Sequence, residues 1–446
     1  MVSSSELSPA LAGGADTIVA RATPAGRGAL ALIRVSGPQA AVCVSLLCPE
    51  VTFDAAWRAT LVDLHAASGE VLDRGIVMTF PGPRSYTGED MFEVTVHGSP
   101  YLTAAVIEAI IAAGARPAGA GEFTRRAVAN GKLDLVQAEA IADMVAADTE
   151  WQHRNARLQL AGYLSRRFVE LRASLVAALA AVEASLDYEA QGIEVAQTEI
   201  AEHLDACRRQ LTTLLGTARA GTRIRDGLRV VILGRPNAGK STLFNMLCGM
   251  ERAIVSPQPG TTRDLIEADL EVAGVRMTLQ DTAGLRTGGG DVESEGHRRA
   301  RAAAAAADVA IVLWPYGDGR GAPQVDEGPA VIQVRSKADL AGNRSVEDGW
   351  LRLSCHSGEG LEALRSELER AALGEIPDLG GAVAIARRHL RALTAAAAEV
   401  EGCNPACAET SAEGLRWALR SVDLLIGEIA PEEVLDEVFS AFCIGK

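Results

Sequence analysis

The sequence predicts an α/β-plus-α protein: an α+β domain at the N-terminus, then a helical domain interrupted by a block in which strands and helices alternate. Three observations predict it. Residues 16–131 mix short β-branched runs with proline and glycine punctuation. From Ala118 to Arg235 there is no proline, and the apolar residues fall at helical steps of three and four. Between about Leu228 and Leu373 the texture becomes strand, loop, helix in repetition, which argues a parallel sheet covered by helices.

Taken in order, Ile18–Ala20 and Leu30–Val35 read as strands flanking the turn from Thr23 to Gly28. Ile76–Phe80 and Phe92–Val96 repeat the pattern around the segment from Pro81 to Asp90, and Tyr101–Ala113 reads as a helix. These make one compact domain, residues 1–131. In the helical stretch Leu133, Val136, Ala140, Ile141 and Met144 are expected on one face. Leu164, Phe168, Leu171, Leu175, Ala178, Val182 and Leu186 mark a second, longer stripe. The run is short and alanine-rich, so a bundle is favoured over a coiled coil. Val309–Trp314 and Val331–Val334 are expected as buried strands of the alternating block. After Pro377 the chain returns to helix, over Ala384–Val400 and Ser411–Ile429. Helices on both sides predict that residues 223–373 are inserted into one helical domain made of 132–222 and 374–446.

A chain of 446 residues, 48% hydrophobic, is expected to form about two to four domains with real cores. A net charge of −15 argues against coating nucleic acid by charge alone, so any RNA contact must be local. The eight cysteines are scattered, without zinc-site companions, and read as reduced cytosolic thiols. No stretch of ~18 apolar residues runs free of charge and no export signal opens the chain, so a cytoplasmic protein without a membrane span is expected.

The chemistry centres on Gly234-Arg235-Pro236-Asn237-Ala238-Gly239-Lys240-Ser241, which fits G-x-x-x-x-G-K-[ST] between an apolar strand, Val230–Leu233, and an apolar helix from Thr242. The glycines let successive N–H groups converge on phosphate oxygens at the positive end of the helix. Lys240 adds a full charge to the β/γ-phosphates, and the Ser241 hydroxyl suits Mg²⁺. Pro259-Gly260-Thr261-Thr262-Arg263-Asp264 is a switch candidate in which Thr262 closes on Mg²⁺ and the γ-phosphate. Asp281-Thr282-Ala283-Gly284 ends the strand Arg276–Gln280, putting Asp281 near the metal and the Gly284 amide near the γ-phosphate. Each segment is weak alone, but in this order on an alternating fold they predict a Ras-like P-loop G domain.

Base choice rests on Ser336-Lys337-Ala338-Asp339, where the Asp339 carboxylate can accept from guanine N1–H and N2–H₂, a donor pair adenine lacks. Asparagine usually opens this motif. The shorter serine is expected to lose a contact to the base or to the P-loop, weakening nucleotide holding while keeping guanine choice. Ser354-Cys355-His356 falls where a backbone amide would meet guanine O6. Leu285 stands where Ras-like enzymes place a water-positioning glutamine, so hydrolysis needs another arrangement. Asn237, whose carbonyl can hold a monovalent cation, and Glu293 can supply it; Glu293 can equally be a solvated residue of a glycine-rich switch.

These motifs, with the ending Phe442-Cys443-Ile444-Gly445-Lys446, resemble the TrmE (MnmE) family of tRNA modification GTPases. The resemblance runs from Asp16-Thr17-Ile18-Val19-Ala20 through Gly88-Glu89-Asp90, Gly121-Glu122-Phe123 and Lys132–Ala140 to the last residue. It implies an N-terminal domain that binds a tetrahydrofolate (5,10-methylene or 5-formyl) and forms a homodimer, and a helical domain carrying the inserted G domain. It implies GTP hydrolysis and work with the FAD-dependent partner MnmG, adding a carboxymethylaminomethyl or aminomethyl group at C5 of wobble uridine 34 of certain tRNAs. Position by position, Arg34, Glu93, Lys132 and Lys446 match folate contacts: cations suit the glutamate carboxylates, a carboxylate the pterin donors. Asn237, Ser256, Gln258 and Thr261 match a potassium site at which G domains pair. Ser241 and Thr262 match the Mg²⁺ ligands, and Glu293 the general base or water-orienting glutamate. Cys443 fits either a nucleophile or a packing role.

The chain departs from the family at Ser336, at Ser256 and Gln258, and at Ala118-Gly119-Ala120-Gly121, which lacks a proline and is expected to form a looser turn. Two rivals stay open on residues alone. One is an assembly GTPase that only binds RNA or ribosomal partners; the other is a folate-dependent one-carbon transferase with a vestigial G domain. Intact Lys240, Ser241, Thr262, Asp281 and Asp339 argue against the latter.

Overall fold

A computed structural model of the protein describes residues 16–49, 57–189, 197–250, 252–253, 266–281, 302–317, 329–340, 349–373, 385–427, 431–440 and 442–445. The chain divides into two compact units. One comprises Met1–Val145, Gln159–Arg208 and Ala395–Lys446, the other Ala146–Leu158 and Arg209–Thr394.

The first unit is built on a six-stranded sheet of β1 (Ile18–Arg21), β2 (Leu30–Ser36), β3 (Ala59–His65), β4 (Val71–Phe80), β5 (Met91–His97) and β6 (Arg116–Pro117), in the order β3-β4-β5-β2-β1-β6. Only β6 runs parallel to its neighbour. Strand period two sorts the side chains. Ala31, Ile33 and Val35 of β2 join Val94 and Val96 of β5 beneath α1 (Ala40–Leu47) and α2 (Pro100–Ala112). The intervening residues point to the opposite face, where Ile18 and Ala20 meet Phe123 of α3 (Glu122–Ala129). That alternation leaves Arg34 and Glu93 directly opposite each other across β2 and β5, off the main core.

In the helical part of this unit, α6 (Tyr163–Glu189) packs on the helix Ala408–Ile426, and α7 (Gln197–Asp226) follows α6 in the chain. Leu164, Phe168, Leu171, Leu175, Ala178 and Val182 are all buried, as the spacing predicts, whereas Leu186, near the end of α6, is half-buried. Arg172 pairs with Asp423 and Arg416 with Glu183, both at 2.7 Å. The first stripe needs correction. α4 (Leu135–Ala146) buries Leu135, Val136, Ala138, Glu139 and Ala140, while Ile141 and Met144 are half-buried and Leu133 precedes the helix. Alanine makes both sides of α4 look apolar, which blurs its period. The later helices also start and stop elsewhere than the pattern suggests, at Arg387–Gly402 and Ala408–Ile426.

The turn Ala118–Gly121 is not loose. Gly121 takes φ 63°, a β-carbon there would stand 3.0 Å from the Phe439 carbonyl, and the Gly119 amide donates to Glu122 at 2.8 Å. Ala120 bridges to Ile444, so chain-end contacts replace the rigidity of a proline.

The second unit holds a seven-stranded sheet: β7 (Leu228–Gly234), β8 (Arg252–Ala253), β9 (Ile266–Val272), β10 (Val275–Asp281), β11 (Val309–Pro315), β12 (Ala330–Ser336) and β13 (Trp350–Arg352), in the order β13-β12-β11-β7-β10-β9-β8. β7 lies between β11 and β10 and is parallel to both. β11 is buried almost without interruption, as a central parallel strand must be. β10 alternates buried and half-buried residues because its other neighbour is the antiparallel β9. α8 (Lys240–Met250) and the helix Leu361–Leu373 supply Leu243, Phe244, Leu364 and Leu368 to the core. Residues 146–158 belong to this unit too: Trp151, on α5 (Glu150–Leu160), packs on the same core. Its indole lies so close to Gly274, in the β9–β10 turn, that a β-carbon there would stand 1.7 Å from Cδ1. Arg276 extends the contact, bonding Asp148 at 2.8 Å and Asp269 at 2.6 Å.

Candidate functional site

Gly234 ends β7 with φ 151°, and a β-carbon there would stand 2.6 Å from the Leu313 carbonyl on β11. Only glycine fits so close an approach. The loop that follows closes with Ala238 N–H on the Arg235 carbonyl, Asn237 takes φ 63° at its exposed crest, and Gly239 takes φ 99° before α8 starts at Lys240. Asparagine tolerates that left-handed geometry better than most residues. The Lys240 ammonium donates to the Gly234 and Arg235 carbonyls, both at 3.0 Å, so its charge is held over the loop at the helix N-terminus. Ser241 and Thr242 complete the first turn of α8.

Strand pairing brings Asp281, at the end of β10, beside β7, where it is 1% exposed. The Ser241 hydroxyl donates to Asp281 Oδ2 at 2.8 Å. Two adjacent hard oxygens, one from a buried carboxylate, are a donor set that suits Mg²⁺. Ser256, Gln258, Thr261, Thr262, Thr282, Ala283, Gly284 and Glu293 lie outside the described residues.

At the far edge of the loop, Ser336 ends β12, 2% exposed, and donates to the Ala238 carbonyl at 2.8 Å. Serine therefore keeps the P-loop contact. Lys337 takes φ 61° and turns the chain into Ala338 and an exposed Asp339. The buried Ser354 donates to Asp339 Oδ1 at 2.7 Å while its oxygen accepts from the amides of His356 and Ser357. The Ser354 hydroxyl holds the Asp339 carboxyl below its ordinary pKa, keeping it an acceptor. Cys355, the next residue in the chain, is half-buried, its thiol pushed up by burial.

A second set of residues gathers in the first unit. A cavity of about 550 Å³ is lined by Arg34, Trp57, Arg84, Tyr86, Glu93 and Lys132, among others. Arg34 Nε and Nη2 both donate to Glu93 Oε1, at 3.0 and 2.7 Å, and its guanidinium lies 5.3 and 5.7 Å from the ring centres of Tyr86 and Phe123. Its remaining nitrogen reaches the Gly445 carbonyl at 3.5 Å. Lys132 donates to the Pro83 carbonyl at 2.9 Å, tying down the wall that carries Tyr86. That wall is also braced by Arg126, 3% exposed, which bonds Glu89, and by Ser36 bonding Thr87 and Glu89. Three cations, one carboxylate and several rings fit a planar heterocycle with an anionic tail, the chemistry of a folate. Cys443 is exposed in the tail; Lys446 lies outside the described residues.

Sequence reasoning singled out Arg34, Glu93 and Lys132, which the fold brings to one cavity. It missed Trp57, Tyr86 and the buried Arg126. The signal for Tyr86 was its place in a Pro- and Gly-rich segment between two strands, where a ring would otherwise be idle.

A glycine loop between a central parallel strand and a helix, a lysine over it and a serine–aspartate pair beside it define the class: a P-loop nucleotide-binding protein. The particular family follows from relatives. Residues 17–132 match the family described as GTP-binding protein TrmE N-terminus, and residues 135–443 match the MnmE helical domain. The tRNA modification GTPase MnmE of Azorhizobium caulinodans is 42% identical over 443 residues, 97% of this chain and 99% of that one. Its counterpart in Granulibacter bethesdensis is 40% identical over 440 residues, 97% and 99% of the two chains. The chain belongs to the MnmE family of tRNA modification GTPases. Among solved structures, the G domain of the T. maritima FeoB iron transporter matches 32% of this chain and 98% of its own at 24% identity, with a TM-score of 0.25.

Proposed function

We infer that this protein is a GTPase that acts in tRNA modification. The observation that carries the reading is the Lys240 ammonium fixed 3.0 Å from two carbonyls of the glycine loop, at the start of α8 and beside the Ser241–Asp281 pair. That arrangement concentrates positive potential where a β/γ-phosphate would lie. Loop amides and Lys240 bind and orient the triphosphate, and Asp339, kept ionised by Ser354, accepts from the guanine N1/N2 edge. Ser241 and Asp281, with Thr262, would hold Mg²⁺, which would supply neutralisation of the phosphate charge. Asn237, with Ser256, Gln258 and Thr261, would hold K⁺ where two G domains pair, and Glu293 would orient the attacking water.

The finer reading adds the cavity of the first unit. Arg34, Lys132 and Lys446 would hold the carboxylates of a tetrahydrofolate and Glu93 its pterin donors; the folate supplies the one-carbon unit. Resemblance to the family supports a homodimer of residues 1–131, a G domain at 223–373 inserted into the helical domain, and work with MnmG at C5 of wobble uridine 34. Among the described residues no helix is long and apolar enough to cross a membrane.

GTP hydrolysis in KCl and NaCl, followed by titration with 5-formyltetrahydrofolate by fluorescence, tests both halves. Faster turnover in KCl and a saturable folate signal are expected. Absence of GTP hydrolysis under both salts would overturn the GTPase reading; hydrolysis indifferent to the cation, with no folate signal, would overturn the finer one. Deleting the gene and analysing wobble uridines by mass spectrometry tests the tRNA assignment, the modified base being expected to vanish.

A further inference from the structure

Ser336 stands where the base-reading turn meets the P-loop, and its geometry limits what that turn can read. The side chain is 2% exposed and its hydroxyl donates to the Ala238 carbonyl at 2.8 Å. A serine hydroxyl has one hydrogen to give. Ala238 is itself fully buried, so its carbonyl depends on that partner. Asp339, by contrast, is exposed and braced from behind by Ser354, so it is the acidic group of the turn that can meet a base.

Guanine offers two kinds of group along its edges. N1–H and N2–H₂ are donors that a carboxylate accepts; O6 and N7 are acceptors that need a donor. An asparagine side chain at position 336 would carry two amide hydrogens, enough for a loop carbonyl and for N7 together. Serine cannot serve both. We infer that Ser336 is a positioning residue for the P-loop, that β12 gives guanine N7 no hydrogen bond, and that the site accepts guanine nucleotides altered at N7 as readily as the parent. This rests on the guanine reading above and deepens it into a statement of substrate range.

The probe is 7-deaza-GDP, in which N7 is replaced by C–H while N1, N2 and O6 are kept. Its affinity and that of GDP are measured on the full-length chain with Mg²⁺ present. The wild-type protein is expected to bind the two within about twofold of each other, the absence of one hydrogen bond leaving no preference. Ser336→Asn is expected to prefer GDP by about fivefold or more. Ser336→Ala strands the Ala238 carbonyl and is expected to weaken both nucleotides alike, by roughly tenfold. A wild-type preference for GDP of about fivefold or more, a Ser336→Asn protein with the wild-type ratio, or unequal losses in Ser336→Ala would each overturn the inference. The wild-type comparison stands if a variant fails to fold. A wild-type chain that binds neither nucleotide overturns the guanine reading itself, a result distinct from binding with discrimination.

Discussion

The two candidate sites are assembled in opposite ways. The nucleotide site is made of short consecutive segments, each at the end of a parallel strand, and the register of β7, β10, β11 and β12 aligns those ends. The cavity of the first unit is made of single residues from distant parts of the chain, Arg34 and Glu93 being 59 positions apart, joined by antiparallel pairing. In the first case local backbone geometry makes the site, so its chemistry tolerates little variation in glycine and lysine positions. In the second, side chains make it, and the site is only as good as the network that braces them.

The largest expected effect tests the first half of that contrast. Lys240→Ala removes a full positive charge held over the loop, and GTP hydrolysis should fall by about 10² or more. Binding of 5-formyltetrahydrofolate should be unchanged, because no cavity-lining residue comes from the second unit. Steady-state hydrolysis and a folate titration on the same preparation decide it; a protein that keeps hydrolysing would remove Lys240 from the phosphate role.

Arg34→Ala is the converse. It deletes the cavity cation that is paired with Glu93 and takes that partner from the carboxylate, so folate affinity should drop by tens of fold, on the scale of one or two charge-assisted hydrogen bonds. GTP hydrolysis should be retained. If folate binds as before, the cavity belongs to some other ligand.

Legibility follows the same division. The P-loop, Asp281 and the turn through Asp339 could be read because consecutive residues of fixed type are what strand-loop-helix geometry demands. Strands β1, β2, β5 and the second half of β4 could be read as β-branched runs between proline- and glycine-rich turns. The cavity could not be read as a cavity: Arg34 and Glu93 were each legible as a ligand contact only by resemblance, whereas the fold ties them first to each other. Tyr86 and Trp57 had no period to betray them, and Arg126 sits in an ordinary-looking helix although it is 3% exposed. Nor could the sequence say which contact Ser336 keeps, since that depends on β12 ending against the Ala238 carbonyl.

At Gly274 the locally encoded site also leans on a distant segment. β10 carries Asp281 at one end and starts, at the other, from a turn whose Gly274, φ 80°, is covered by Trp151. Gly274→Ala adds a strained φ and forces the indole away, and should cost about 1–2 kcal/mol in the stability of the second unit. Its melting transition should fall while folate binding holds. Combining it with Trp151→Ala should recover the part due to the clash; an unchanged melting point in Gly274→Ala would mean the indole is not seated there.

The smallest expected effect concerns Asp339 and pH. Its pKa in the folded chain lies below the ordinary carboxylate value because the Ser354 hydroxyl donates to Oδ1, with lesser help from the nearby positive groups of His356 and Lys337. The fold therefore favours the ionised form, and that contribution is complete above the unfolded pKa of about 3.9 and is lost as pH falls through the lower folded value. Guanine binding should share this sign, because only the carboxylate accepts from both N1–H and N2–H₂. Ser354→Ala removes the leading cause, so the Asp339 titration should move up towards the ordinary range, and guanine affinity should begin to fail at a higher pH than in the wild type. The carboxyl-carbon chemical shift of Asp339 across pH gives the midpoint directly. Identical midpoints in the two proteins would mean that Ser354 orients the loop amides without acting on Asp339, and base reading would then rest on the aspartate unaided.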